Sequence, residues 1–239
     1  MASIPHDYHM HSEFSIDSDV PIAARCERAI ELGLVEICVT DHADFVPASR
    51  SNGYYRADAY FAEVERCRAM YGDRVTLRAG VEIGEWHIYP DRASELSDTY
   101  PYDVVLGSLH RVGEETVMLP DYFHPRSELE AYEAYYTELL AMVRHGGFDV
   151  MAHLDVPKRY GFTVFNRYVS MEYEGMIREV LRAAIERGIG LEINTGTARR
   201  TVGEPSPDLE VLHWYRELGG EIITVGSDAH RTEDMAYGF

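Results

Sequence analysis

Seven short apolar runs, separated by helical patterns, constrain the fold of this chain more than any other feature. They predict strands near residues 7–11, 35–40, 75–82, 103–109, 148–153, 189–194 and 221–227. Runs such as LVEICVT, YDVVLGSLH and GEIITVGSD are short, rich in β-branched residues and bounded by glycine or charge, as strands buried on both faces should be. Amphipathic helices lie between most of them. The clearest covers residues 127–145: Ser127 and Glu130 make a capping-box signature at its start, and Gly146–Gly147 stop it. Alternating strand and helix imply a parallel sheet with right-handed crossovers. Seven units in 239 residues leave about 34 residues each, close to what a βα unit needs. The expectation is an α/β chain forming one seven-stranded (β/α) barrel, with an open doubly wound sheet as the alternative. Residues 45–55 and 112–125 read as loops over one face.

Histidine is concentrated where such a barrel does chemistry. The opening DYHMHSEF puts His9 and His11 two residues apart. If residues 7–11 are a strand, both imidazoles share one face. They could grip one metal ion, or be two surface histidines on an edge strand. The remaining strands decide between these readings. The second ends in Asp41–His42, the third contains Glu82, the fourth ends in His110 and the fifth in His153. The sixth ends in Asn194, and the seventh runs into GSDAH, giving Asp228 and His230. The C-terminal rim of a barrel is where active sites sit. Chance scatter of eleven histidines would not place six of them there.

Glu82, alone among apolar residues and glycine in GVEIG, would be costly to bury unpaired; as a ligand shared by two ions it is satisfied. Asp17 completes a candidate set of His9, His11, Asp17, His42, Glu82, His110, His153, Asp228 and His230, although Asp17 could equally cap a turn in SIDSDVP. Histidine and carboxylate donors without cysteine suit Zn, Mn or Fe rather than Mg. One ion takes three or four protein ligands, so this set implies two or three divalent ions.

Bulk properties narrow the function classes. The net charge of −19 repels a polyanion such as duplex DNA, since affinity for it comes from phosphate neutralisation. Screening limits that field to roughly 8–10 Å, so an anionic small molecule can still reach a locally positive site. Cys26, Cys38 and Cys67 are odd in number and irregularly spaced, which suits reduced thiols in a cytoplasmic protein. No apolar run is long enough for a transmembrane helix, and the opening residues lack a secretory pattern, so no membrane partner is expected. The final RTEDMAYGF is abrupt for an α/β chain and leads to the expectation of a further terminal helix. The sequence carries no signal of oligomeric state.

The motifs DYHMHSEFSIDSD, VTDHADF, GVEIG, GSLH, AHLD followed by KRYG, LEINT and GSDAH, in this order over nearly the whole chain, resemble those of the polymerase-and-histidinol-phosphatase (PHP) superfamily. The similarity is greatest to its histidinol-phosphatase branch. It implies one domain over residues 1–239, a distorted (β/α)7 TIM-like barrel with a trinuclear centre. Carried over, one ion would be held by His9, His11, Glu82 and Asp228. A second would share Glu82 and add His110 and His153, and a third would use Asp17, His42 and His230. Three divalent ions against three carboxylates leave a local charge of about +3, which draws in a phosphate dianion. A water bridging two ions would lose its proton and attack phosphorus in line.

Phosphate positioning calls for fixed cations, and arginine's planar fork suits it. Arg159 in DVPKRYG and Arg199 and Arg200 in NTGTARR are the candidates, with Arg199 aligning better with the family pattern. Lys158 could join them or be a solvated loop lysine. Asp41 reads as a partner orienting a ligand histidine. Asp155 could do the same, protonate the leaving group, or cap a helix. The implied function is hydrolysis of a small-molecule phosphate ester, L-histidinol phosphate. The alternatives are another PHP substrate (phosphotyrosyl protein, nucleotide or oligonucleotide) or a non-catalytic metal-binding barrel. Glu85, Glu114, Glu115 and Asp121, on loops near the rim, would favour an amine-bearing substrate, although a solvated face explains them equally well.

Overall fold

The computed structural model describes residues 4–47 and 49–239, so the first three residues of the opening segment and Ala48 in the 45–55 loop lie outside it. Seven strand positions run parallel around a sheet. In spatial order they are β1 (His6–Asp7), β2 (Glu36–Val39), β4 (Thr76–Gly84), β5 (Val104–Ser108), β8 (Val150–Met151), β9 (Gly190–Asn194) and β10 (Ile223–Gly226). The short β3 (His42–Ala43) continues the line of β2 along the same strand β4, pairing His42 with Glu82. The ends of this path meet. Tyr8 N–H donates to Val225 O (2.9 Å), Asp228 N–H to His9 O (2.8 Å) and His11 N–H to Ala229 O (3.0 Å). The sheet is therefore a closed, distorted (β/α)7 barrel, and the open doubly wound alternative is excluded.

Helices α1 (Ile22–Leu32), α2 (Ala57–Tyr71), α3 (Pro90–Thr99), α4 (Glu128–His145), α6 (Glu174–Glu186) and α7 (Leu209–Glu217) occupy the crossovers, with a short α5 (Lys158–Phe165) after β8. The capping box at Ser127 and Glu130 is present and opens α4. Caps of this kind contribute about 1 kcal/mol. On α6, Ile177, Val180, Leu181 and Ala184 are buried at positions i, i+3, i+4 and i+7, the stripe that seats a helix on a sheet. Gly107 on β5 lies under the ring of Phe148, where any Cβ would collide, so glycine is what lets this aromatic pack on the strand.

Two predicted features need correction. The 7–11 strand pairs regularly only over β1, and from there the chain continues through a single bridge, Met10 to Ala229. The 112–125 segment is less loop-like than expected. The hairpin β6 (Arg111–Val112) and β7 (Glu115–Thr116) opens it, and Val117, Tyr122 and Phe123 are buried in the core. Among the described residues, no helix is long and apolar enough to cross a membrane.

Candidate metal centre

Because the strands are parallel, their C-terminal ends share one rim, and all nine predicted ligand side chains converge there. Glu82, fully buried on β4, stands at the centre. Its Oε2 lies 2.9 Å from His42 Nδ1, 3.3 Å from His9 Nε2 and 3.6 Å from His11 Nε2. Its Oε1 lies 2.9 Å from His153 Nε2 and 3.3 Å from His110 Nε2. Burial alone would raise this carboxyl's pKa, but His42 and His9, with hydrogen bonds from His110 and His153, hold it well below the ordinary range. Asp228 reaches His11 Nε2 at 3.2 Å and is likewise held low, against burial, by Arg159 and His9. At the outer edge Asp17 meets His230 Nε2 at 3.0 Å and His42 Nε2 at 3.4 Å. The donor atoms fall into four overlapping groups, each within 4.8 Å.

The hydrogen bonds behind the rings show what the cluster can accept. A carboxylate or carbonyl oxygen can only accept, so the ring nitrogen facing it carries the proton. His9 Nδ1–H donates to Glu192 Oε1 (2.6 Å), and His230 Nδ1–H donates to Asp228 O (3.0 Å). Were a ring neutral, its Nε2 lone pair would then point at a carboxylate oxygen, Glu82 for His9 and Asp17 for His230, so each Nε2 calls for a proton or a metal cation. His9 Nε2 also faces His11 Nε2 at 3.2 Å. Lone pairs at such distances repel unless a cation lies among them. Buried His42 Nδ1 likewise makes no hydrogen bond despite its nearness to Glu82. This donor set fits divalent metal.

Two of the predicted ligands, His153 (φ +23°) and Asp228 (φ +53°), occupy left-handed backbone that side chains rarely adopt. Such strain persists only where surrounding structure enforces it. Behind the rim, Arg25 of α1 donates to the carbonyls of His11, Ala229 and Arg231, and Asp7 accepts from Ser227 N–H and Oγ–H. These bonds fix the first and last ligand loops to one another.

A cleft of about 320 Å³ opens over the cluster and is lined also by Arg159, Tyr160 and Arg200. It shares Asp17, His42, His110, Met118 and Tyr160 with a neighbouring cleft of about 270 Å³, in which Asp44 and Glu85 add two carboxylates. Burial pushes Glu85 up to about 7, against the nearby His110 and the His110 N–H that it accepts. Arg159 Nε donates to Thr197 Oγ1, and its Nη2 to Asn194 Oδ1 and Asp228 Oδ2. Its Nη1 makes no hydrogen bond among the described residues.

Comparison with known proteins decides the family, since the PHP domain profile matches residues 7–196. This chain belongs to the PHP family. It is 30% identical to histidinol-phosphatase of Lactococcus lactis subsp. lactis over 94% of its own length and 83% of that protein's. It is 32% identical to the probable histidinol-phosphatase of Clostridium acetobutylicum, covering 98% and 89%. Among solved structures, the Lactococcus lactis histidinol phosphate phosphatase, complexed with zinc, L-histidinol and phosphate, superposes with a TM-score of 0.84 at 28% identity, covering 97% of this chain and 88% of that one.

Around this PHP centre four predicted roles are corrected. Asp41 makes no direct hydrogen bond to an imidazole among the described residues: its carboxylate accepts from Ser12 N–H (2.5 Å) and Oγ–H (2.6 Å), fixing the turn after His11. Asp155 is fully buried, bonded to Ser206 Oγ and paired with Lys158 Nζ (2.8 Å), and it lines neither cleft. Lys158 is therefore neither solvated nor free to bind phosphate. Its ammonium also donates to Pro205 O at 2.8 Å. Arg199 is held by the carbonyls of Ser227 (2.7 Å) and Asp228 (2.9 Å), and it is the exposed Arg200 that lines the cleft over the cluster. Sequence reasoning passed over Glu192, Asp7 and Arg25. Glu192 carried the same signal as Glu82, an acid inside an apolar strand.

Proposed function

We propose that this chain is a metal-dependent phosphomonoesterase that hydrolyses L-histidinol phosphate to L-histidinol and phosphate at a centre of three divalent ions. The observation that carries this reading is the single buried carboxylate of Glu82 ringed by five imidazoles, with Asp17, Asp228 and His230 completing the set. His9, His11, Glu82 and Asp228 would hold one ion, Glu82, His110 and His153 a second, and Asp17, His42 and His230 the third. Zinc is the first candidate, since the similar Lactococcus lactis structure contains it. Bound ions of this kind neutralise phosphoryl charge and lower the pKa of water, so that no serine or cysteine nucleophile is required.

The chain's own residues do the rest. Arg159, pinned on three oxygens, presents Nη1 at the cleft as a fixed donor to a phosphoryl oxygen, and Arg200 adds a mobile cation at the mouth. Asp44 offers a carboxylate, and Glu85 a carboxyl that burial leaves partly ionised near neutral pH, to an amine-bearing leaving group, which favours histidinol phosphate over a nucleotide. The deciding assay is phosphate release from metal-loaded protein on L-histidinol phosphate, phosphotyrosine and a generic aryl phosphate. The expected kcat/KM for histidinol phosphate is at least 100-fold above the others, about 3 kcal/mol of discrimination. Equal rates on all three would remove the substrate assignment, and no turnover by zinc-loaded protein would remove the activity.

Arg159→Lys keeps the charge but loses the planar fork. It is expected to raise KM roughly tenfold with metal content retained. An unchanged KM would move phosphate binding to another group.

A further inference from the structure

We propose that Glu192 is a positioning residue that sets how tightly two of the ion sites hold their metal. The proposal rests on the metal-centre reading above. Glu192 lies on β9, 1% exposed, and none of the metal-capable groups includes it. Its two oxygens divide between two ligands on different strands. Oε1 accepts the Nδ1–H of His9 at 2.6 Å, which fixes the tautomer and turns the Nε2 lone pair toward Glu82, His11 and Asp228. Oε2 accepts the backbone N–H of His153 at 2.7 Å, and that residue's left-handed backbone aims its ring at the other oxygen of Glu82. Asn194 Nδ2–H completes the shell of Oε2 at 3.1 Å.

A third strand makes room for this arrangement. A Cβ at Gly226 of β10 would come within 2.5 Å of Glu192 Oε1 and would strike His9 Cβ. Glycine there lets the carboxylate and the imidazole meet. One carboxylate thus orients a ligand of the first ion and a ligand of the second, which are the two ions proposed to share Glu82. An anionic partner on Nδ1–H also makes the imidazole a more basic donor, and losing such partners elsewhere typically costs 10–100-fold in metal affinity.

The test uses the full chain, stripped of metal and titrated with zinc against a chromogenic chelator, alongside thermal unfolding of the metal-free form. Glu192→Gln preserves volume, and its amide oxygen can still accept from His9. Its NH2, however, faces the His153 and Asn194 donors, and the negative charge is gone. Glu192→Asp keeps the charge but shortens the reach to His9. Both variants are expected to weaken two of the zinc-binding steps at least tenfold and to leave the third within about twofold. A carboxylate serving the fold alone would lower the Tm of the metal-free protein and leave every zinc step at its wild-type value; that outcome overturns the proposal. Should Glu192→Gln not fold, the Glu192→Asp titration decides alone by the same criterion. Wild-type protein that binds no zinc would overturn the metal centre itself, a failure distinct from wild-type binding with unaltered variants.

Discussion

Glu82→Gln is expected to lower kcat/KM by at least a thousandfold, about 4 kcal/mol of transition-state stabilisation. The substitution changes almost no volume, so packing cannot account for a loss of that size. It removes the one negative charge that faces His9, His11, His42, His110 and His153 together, and it puts an amide NH2 where two of those rings present nitrogen within 3.3 Å of Oε1 or three approach Oε2. Both proposed Glu82-sharing ions lose a ligand at once, so metal content should fall with activity. Two measurements check this: zinc bound per chain after dialysis, and phosphate release. Retention of more than a tenth of wild-type kcat/KM with full metal content would show that Glu82 is not the shared ligand. The barrel itself should survive, because β4 is held by backbone pairing to β2, β3 and β5 that the side chain does not enter.

The contrast between Glu82 and the misassigned residues shows what the sequence made legible. Glu82, His110 and His153 announced themselves because parallel strands deliver their ends to one rim, so local position along the chain fixes global position in the fold. The same logic placed the seven strands, even where regular pairing is as short as the two residues of β8. It failed for groups whose role depends on what lies opposite in space. Lys158 and Asp155 stand three residues apart at the start of a helix, but only the fold brings Ser206 and Pro205 over them and closes the pair off from solvent. Arg199 and Arg200 are adjacent, and the choice between them is set by the 3₁₀ turn Thr195–Arg199, which sends one guanidinium to the carbonyls of β10's exit and leaves the next at the cleft. Glu192 belongs with neither group. Its anomaly was visible in LEINT, and only its partners were not.

Removing metal should abolish activity and lower Tm by roughly 10–20 °C. Each site occupied at a hundred times its Kd stabilises the native state by about 2.7 kcal/mol, and for a chain of this size about 1 kcal/mol moves Tm by roughly 2–4 °C. Two such sites, fewer than the three proposed, already give the stated range. The sign with pH follows from the donors. Metal requires unprotonated imidazole, so protons compete for Nε2 of His9 as pH falls. In the metal-free cleft that proton can satisfy the Glu82 oxygen that His9 Nε2 faces. Acid therefore stabilises the metal-free form relative to the metal-loaded one. Burial lowers the His9 pKa, but Glu192, Glu82 and Asp228 raise it well above the ordinary histidine value, so the Tm gap is expected to keep widening above neutral pH and to close toward about pH 5. Paired thermal scans with and without chelator across that range measure it, with zinc added back to restore both Tm and turnover. A gap that stays constant with pH would mean that histidine is not the dominant donor. The absence of any gap, with activity intact after chelation, would mean that the converging imidazoles hold no metal at all.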